Sequence, residues 1–323
     1  MHVTMYYADH RRATDPVSVE GKDKGMNPIE VLNVAKSFGV TQAVADVSFA
    51  VHRGEIFGLL GPNGAGKTTT IRLILDIFKP EKGTVSILGG TMDEAKKDRI
   101  GYMPEDRGLY QDLPLERCLV YLGTLKGLSR VEAQTRLDEY LERFDLADHR
   151  KKKVEELSKG MQQKAQIINT VLHHPELIII DEPFTALDPI NTQLVKDLMQ
   201  ELRDQGTTII MSTHQMHQVE ELCDRIVLID EGRDVLYGNL EEIRRRYSGN
   251  TVLVRSAGEL PHVAGAEVVS QRNGTIKLKL AEGTSPQDLL GALMAEQVVL
   301  EKFEIAIPSV SEIFIRVVEE GDM

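Results

Sequence analysis

Gly61-Pro62-Asn63-Gly64-Ala65-Gly66-Lys67-Thr68 fits the pattern G-x-x-x-x-G-K-[ST], and it lies between an apolar run at 55–60 and a helical pattern that begins at Lys67. Over 67–78, Ile71, Ile74, Leu75 and Phe78 recur at core-facing helical spacing. Strand, glycine-rich loop and helix in that order give the motif its physical meaning. Gly61, Gly64 and Gly66 lack the Cβ atoms that would hold an anion away from the backbone, so successive N–H groups can line a nest at a helix N-terminus. The candidate phosphate contacts are Gly61, Asn63, Gly64, Ala65, Gly66, Lys67, Thr68 and Thr69. Lys67 supplies a point charge for the β- and γ-phosphates, and the Thr68 hydroxyl offers one position to Mg²⁺. The stretch predicts a nucleoside triphosphate site.

Upstream, 29–35 and 43–51 read as strands, and the link between them carries Phe38, an aromatic ring suited to stacking on a purine. Downstream come a strand at 83–88, then Tyr102-Met103-Pro104-Glu105-Asp106-Arg107-Gly108, then a long helical stretch with Leu137, Tyr140, Leu141 and Phe144 on one face. Leu177-Ile178-Ile179-Ile180 is the short continuous apolar run of a strand buried on both faces of a parallel sheet, and it ends in Asp181-Glu182-Pro183. Helices near 190–205 and 216–223 and strands at 207–211 and 225–229 continue the β/α alternation, and a last strand ends near Tyr237.

The pattern changes after Arg244-Arg245-Arg246 and Ser248-Gly249-Asn250. Asn273-Gly274 between 267–271 and 275–280 is a hairpin signal, with Ile276, Leu278 and Leu280 alternating onto one face. Pro286 opens a helix carrying Leu289, Leu290, Leu293 and Met294, a strand follows at 298–307, and Ser309 with Glu312 forms a capping box. No catalytic constellation falls in this tail.

The 323 residues leave room for one large domain and a small one. A net charge of −12 argues against nucleic acid as a partner, because phosphate affinity is carried by clustered Lys and Arg. No run reaches the roughly 18 consecutive apolar residues of a spanning helix. Two cysteines, Cys118 and Cys223, lie far apart without ligand spacing, which suits a reducing, cytoplasmic setting. Residues 1–27 are polar and irregular, without the apolar core of a secretory signal, and are expected to be disordered.

Taken in order, Gly61 to Thr68, Leu157-Ser158-Lys159-Gly160-Met161-Gln162-Gln163, Leu177 to Pro183, Ala186-Leu187-Asp188 and Ser212-Thr213-His214 resemble the motif set of the ATP-binding cassette (ABC) ATPases. The resemblance implies an α/β P-loop NTPase fold: an ABC-type nucleotide-binding domain at 28–247 with a helical insert at about 105–169, followed by a small α+β C-terminal domain at 250–323. It implies that Asp181 holds Mg²⁺, that Glu182 is the general base, and that His214 contacts the γ-phosphate. Ser158 and Gly160 would reach the γ-phosphate of a second subunit, with Asp188 at the same interface, so that ATP joins a homodimer. Three positions depart from the commonest family pattern. Lys159 and Met161 replace a glycine and a glutamine of the signature, and Glu105 stands in place of a glutamine near the metal. A glutamate there adds charge beside the phosphates, and it is carried over as a nucleotide and metal contact.

Pro308-Ser309-Val310-Ser311-Glu312-Ile313-Phe314 resembles the end of the C-terminal domain on family members that serve sodium and drug exporters. The reading is therefore an ATP-hydrolysing subunit, peripheral on the inner face of the cell membrane, that drives a separately encoded permease for export. The alternatives are ABC-type ATPases of translation or of chromosome maintenance and repair. Translation members carry two cassettes, and chromosome-type members insert a long coiled coil where this chain has only 71–156. A purely regulatory or scaffolding protein would tolerate loss of Glu182 and His214, and both are present.

Overall fold

In the computed structural model, which describes residues 27–106, 108–248, 250–258, 260–281 and 283–319, the chain opens with two β-branched-rich strands, β1 (Ile29–Phe38) and β2 (Thr41–Val51). They pair antiparallel across a two-residue turn whose Gly39 takes a positive φ. The leader expected to be disordered lies outside the described residues up to 26, as do Arg107 and Gly249. Asn27, its last residue, donates from its amide to Glu30 Oε1 at 2.9 Å.

β3 (Ile56–Leu60) runs into the phosphate loop and α1 (Lys67–Ile74). The helix stops short of the expected Phe78, because Asp76 turns left-handed at φ 60° and the Ile77 N–H folds back onto Arg72 O at 2.9 Å. That is a Schellman-type end with a non-glycine residue at the turning position. Leu75 and Phe78 are left partly buried against the core that Ile71 and Ile74 enter fully.

The chain continues through β4 (Lys82–Ile87), the short α2 (Glu94–Lys97) and β5 (Ile100–Met103) into the helical stretch. This consists of α3 (Leu115–Leu125), α4 (Arg130–Arg143) and α5 (Lys159–Val171), with 3-10 turns at Ala147–His149 and Val154–Glu156. A reciprocal capping box of Ser129 and Glu132 starts α4, which buries Leu137 and Leu141. Then follow β6 (Leu177–Asp181), α6 (Pro189–Asp204), β7 (Thr208–Thr213), α7 (Met216–Leu222), β8 (Arg225–Asp230) and β9 (Arg233–Asn239).

These strands form one sheet in the order β4-β1-β2-β9-β8-β3-β7-β6-β5. From β8 to β5 every neighbour is parallel, so the carboxyl ends of β3, β6 and β7 emerge at the same edge. β3 sits between β7 and β8, and β6 next to β7, which sets the phosphate loop beside Asp181-Glu182 and Thr213-His214. The core behind this edge includes Phe57 stacked on Phe49 at 5.3 Å, and Leu177 to Ile180, each 2% exposed or less. Each such side chain contributes about 1.5–3 kcal/mol through burial.

The chain separates into two compact units, the second being Leu240–Arg316. The division falls earlier than the expected change at 248–250, because Arg244-Arg245-Arg246 does not form a linker. It closes a helix, α8 (Leu240–Arg246), that buries Leu240 and Ile243. A strand that sequence patterning passed over, β10 (Thr251–Ser256), is the centre of the second sheet. It pairs antiparallel with β12 (Thr275–Leu280) and β13 (Leu300–Ile305), and β11 (Ala266–Arg272) pairs with β12 across Asn273-Gly274. Val252 and Val254 of β10 meet Leu278 and Leu280, and α9 (Pro286–Ala295) covers them with Leu289 and Leu293. Met294 of the same helix is 67% exposed. α10 (Val310–Glu319) starts at the expected box, where Ser309 and Glu312 exchange side-chain and backbone hydrogen bonds.

His173, just beyond α5, titrates against the fold. Its ring donates from Nε2 to Ile100 O at 3.2 Å, and Nδ1 is buried without a partner among the described residues. Burial, then the Lys126 cation, lowers its pKa from 6.5 to about 4. The unfolded chain thus takes up a proton that the native state refuses, so this contribution to stability is complete above pH 6.5 and is lost as pH falls toward 4. His173→Gln keeps a donor for Ile100 O and should flatten the fall in thermal midpoint between about pH 7 and about pH 5. An equally steep fall in the variant would contradict the assignment.

Candidate functional site

The phosphate loop takes its shape from close backbone approaches that exclude a side chain. At Gly61, φ is 149° and a Cβ would stand 2.2 Å from Ile229 O; at Gly66, φ is 108° and a Cβ would stand 2.5 Å from Ala43 O. Gly66 is also the N-cap of α1 and contributes no side-chain cap, which leaves the first amides of the helix facing outward from its positive end. Ala65 is buried, and its carbonyl accepts from Gly232 N at 3.0 Å, pinning the loop to the β8–β9 turn. Lys67 folds over the loop and donates from Nζ to Gly61 O at 2.9 Å and Pro62 O at 3.1 Å. Burial lowers its pKa, opposed by the negative charges of Glu182, Asp181 and Glu105.

Asp181 ends β6 and is 1% exposed. Thr68 Oγ1 donates to its Oδ2 at 3.0 Å, and Ser212 Oγ, the register partner on β7, donates to its Oδ1. The next residue, Glu182, takes a left-handed φ of 52°, a conformation that costs a non-glycine residue about 1–3 kcal/mol. Several contacts hold it there. Its N–H donates to Ser212 O at 3.0 Å, Thr213 Oγ1 donates to Oε2 at 3.1 Å, and His214 N donates to Oε1 at 3.1 Å. His214 Nδ1 lies 2.6 Å from Oε1. An ionised carboxylate only accepts, so Nδ1 carries the hydrogen and Nε2 is the ring nitrogen left to act elsewhere.

A cavity of about 280 Å³ is lined by Asn63, Gly64, Gly66, Lys67, Thr68 and Thr69 of the loop and helix start, together with Glu105, Asp181 and Glu182. Three carboxylates face one lysine, so the cavity suits a phosphate chain that brings a cation with it. The Thr68 hydroxyl with the Asp181 and Glu105 carboxylates is the hard-oxygen set that Mg²⁺ takes. Among the described residues no three His, Cys, Asp or Glu side chains form an all-protein metal site, so Mg²⁺ held here would complete its shell with phosphate and water.

Seven expected site residues do not line the cavity: Gly61 and Ala65, which shape the loop, His214, which is held against Glu182, and Ser158, Gly160, Asp188 and Phe38. Ser158 is exposed at the N-cap of α5, accepting from Met161 N at 3.3 Å, with Gly160 beside it. Asp188 is exposed at the N-cap of α6, where the Asn191 N–H at 2.9 Å, assisted by the Asn191 amide, holds its carboxyl below the usual range. Phe38 is 44% exposed, with its ring edge-on to Phe78 at 5.1 Å.

Sequence reasoning missed the groups that aim the carboxylates. Ser212 and Thr213 belong to a motif read for His214, yet their hydroxyls hold Asp181 and Glu182. On α5, Gln163 Nε2 donates to Glu182 O at 3.3 Å and Pro183 O at 3.0 Å, and Gln166 Nε2 donates to Pro104 O and Asp106 O. The available signal was the placement of Gln162, Gln163 and Gln166 on a helix whose periodicity buries all three.

Comparison with known proteins places this geometry in context. Residues 44–185 match the ABC transporter family, and residues 238–318 match the family described as the ATP-binding protein DrrA1-3-like, C-terminal domain. The chain is 41% identical to the uncharacterized ABC transporter ATP-binding protein YhaQ of Bacillus subtilis, over 88% of this chain and 96% of YhaQ. It is 36% identical to the Nod factor export ATP-binding protein I of Burkholderia lata, over 65% of this chain and 70% of that protein. A solved structure described as the ATP binding subunit of an ABC transporter superposes with a TM-score of 0.64 at 36% identity, over 68% of this chain and 92% of that one.

Among the described residues Lys67 is the one cation that lines the cavity, so Lys67→Ala should weaken ATP binding by roughly 10- to 100-fold, the equivalent of about 1.5–3 kcal/mol for a charged hydrogen bond. Isothermal titration calorimetry reads this directly, and an affinity within about threefold of wild type would remove Lys67 from the site.

Proposed function

The chain belongs to the family of ABC transporter ATP-binding proteins, ATPases coupled to transport, and from that premise we propose that it is the Mg²⁺-dependent ATPase subunit of an exporter, acting as a homodimer on a separately encoded permease. The observation that carries the mechanism is the seat of Glu182. Its carboxylate is fixed by Thr213 and His214, and Glu182 lines the same cavity as Lys67.

ATP would enter with its phosphates on the loop amides at the start of α1, and Lys67 would exchange its bonds to Gly61 O and Pro62 O for phosphate oxygens. Thr68, Asp181 and Glu105 would hold Mg²⁺. When bound, the metal neutralises charge on the phosphates during in-line displacement. Glu182 accepts the proton of the attacking water, because it is the carboxylate oriented by three donors from Thr213 and His214 and not engaged by Thr68. His214, anchored through Nδ1, presents Nε2 to the γ-phosphate. Phe38 offers the purine a ring face.

Ser158 at the N-terminus of α5 and Asp188 at that of α6 are exposed, Gly160 is half-buried, and all three lie outside their own chain's cavity. That placement supports a site completed by a second copy, in which the α5 terminus reaches the γ-phosphate of its neighbour. Closure on ATP and reopening after hydrolysis would then drive the permease. No helix among the described residues is long and apolar enough to cross a membrane, so the transport path belongs to a partner. A cytoplasmic, membrane-peripheral location follows from that partnership. The export direction is supported by the likeness to the Nod factor export ATP-binding protein and by the DrrA-like C-terminal match. Recovery from solubilised membranes in a stable complex with one integral membrane protein tests the partnership, and a chain found in no membrane fraction would sink it.

Glu182→Gln keeps the shape and loses the basic carboxylate. It should bind ATP normally, hydrolyse it at least about 100-fold more slowly, and run as an ATP-dependent dimer on size exclusion. Turnover near the wild-type rate would place the base elsewhere, with Glu105 the carboxylate to test next.

For the composite site, Ser158→Arg homodimers should be inactive. Mixing them with Lys67→Ala subunits should give heterodimers with at most one intact site and partial ATPase activity. Full activity of Ser158→Arg alone would exclude action across the interface.

A further inference from the structure

Glu105 is the unusual carboxylate of the cavity, and it sits on a stretch with little to hold it. Residues 104–106 follow β5 and belong to no strand or helix. What fixes them is a side chain of the neighbouring helix. Gln166 of α5 is 3% exposed, and its single amide nitrogen donates to Pro104 O at 3.1 Å and to Asp106 O at 3.4 Å, the two residues that flank Glu105. Its Oε1 is buried without a hydrogen-bond partner among the described residues. Turning the amide over would set Oε1 against two carbonyl oxygens, so the two carbonyls dictate the orientation. A buried acceptor left unpaired destabilises a fold, and an apolar residue would fill this helix position without that loss. What the glutamine contributes is the pair of donors.

We propose that Gln166 is a positioning residue that brackets Glu105 and holds its carboxylate on the cation side of the nucleotide cavity. Gln163, three residues earlier on the same helix, grips the carbonyls of Glu182 and Pro183 in the same manner. Both carboxylate-bearing loops are therefore fastened to α5 and move with it as one body. Without Gln166, Glu105 is free to leave the cavity, and Mg²⁺ loses one of its protein oxygens while the phosphate loop keeps all of its own contacts. The inference rests on the reading of the cavity as a Mg²⁺-nucleotide site.

The test uses the full-length chain and ADP, so that turnover does not interfere, with dissociation constants measured by calorimetry in the presence and absence of Mg²⁺. Gln166→Met keeps length and bulk and removes both donors. It should leave metal-free ADP affinity within about twofold of wild type and weaken Mg²⁺-ADP binding about 10-fold, the lower end of the range for groups that orient a metal ligand. In a Glu105→Ala background the same substitution should add nothing, because the two changes act through one contact. Equal weakening with and without Mg²⁺, an undiminished effect in the Glu105→Ala background, or no effect at all would overturn the proposal. If the Met variant does not fold, Gln166→Asn gives the same readout, since it keeps an amide one methylene too short to bridge both carbonyls. A wild-type protein whose ADP affinity ignores Mg²⁺ would instead overturn the metal reading of the cavity, an outcome visible before any variant is made.

Discussion

Two register pairs in the parallel sheet, Leu60 beside Thr213 and Asp181 beside Ser212, set where the phosphate loop, Asp181, Glu182 and His214 stand. They bring the ends of three strands to one line, with the phosphate loop leaving β3, the carboxylates leaving β6 and the hydroxyl-histidine segment leaving β7. A slip of one residue in either pair would turn each side chain to the opposite face of the sheet, so the site tolerates no alternative pairing. The apolar strands behind the line enforce the register, because Ile178, Ile179 and Ile210 are wholly buried and have no other surface to cover.

The cavity concentrates like charge, and the fold manages it by assigning each carboxylate its own donors. Asp181 takes the hydroxyls of Thr68 and Ser212; Glu182 takes Thr213 and the His214 backbone and ring. Glu182 does so from a left-handed backbone conformation that no isolated glutamate favours, and contacts from β7 and α5 over-determine it. Lys67, buried among these carboxylates, rests on its own loop's carbonyls, which are weaker partners than phosphate oxygens. The loop therefore carries a charge that a phosphate chain satisfies better than the protein does.

The second unit needs none of this electrostatics. Its four-stranded sheet closes over valines and leucines with α9 above them, and its helices begin at side-chain caps of Ser285 with Asp288 and Ser309 with Glu312.

The phosphate loop, its helix, the buried β6 run, the Asn273-Gly274 hairpin and the caps were legible because each depends on neighbours in sequence: a glycine at a positive φ, a proline at a helix start, an apolar period. The residues that line the cavity were legible for the same reason, since loop and strand-end positions constrain their chemistry locally. Helix α1 ending at Ile74 rather than Phe78 was not legible because it turns on a left-handed Asp76, a conformation its residue type does not announce, and the place of β10 inside its sheet was not legible because partners far along the chain decide it. The aiming of the carboxylates belongs to tertiary structure alone. Nothing adjacent to Gln163 or Gln166 marks either as a donor to loops at 182–183 and 104–106, and only the packing of α5 against β5 and β6 brings amide and carbonyl together. Sequence thus determined which groups this protein brings to its chemistry, and the sheet register with the buried face of one helix decided where those groups point, since direction is set by contacts between residues distant in the chain.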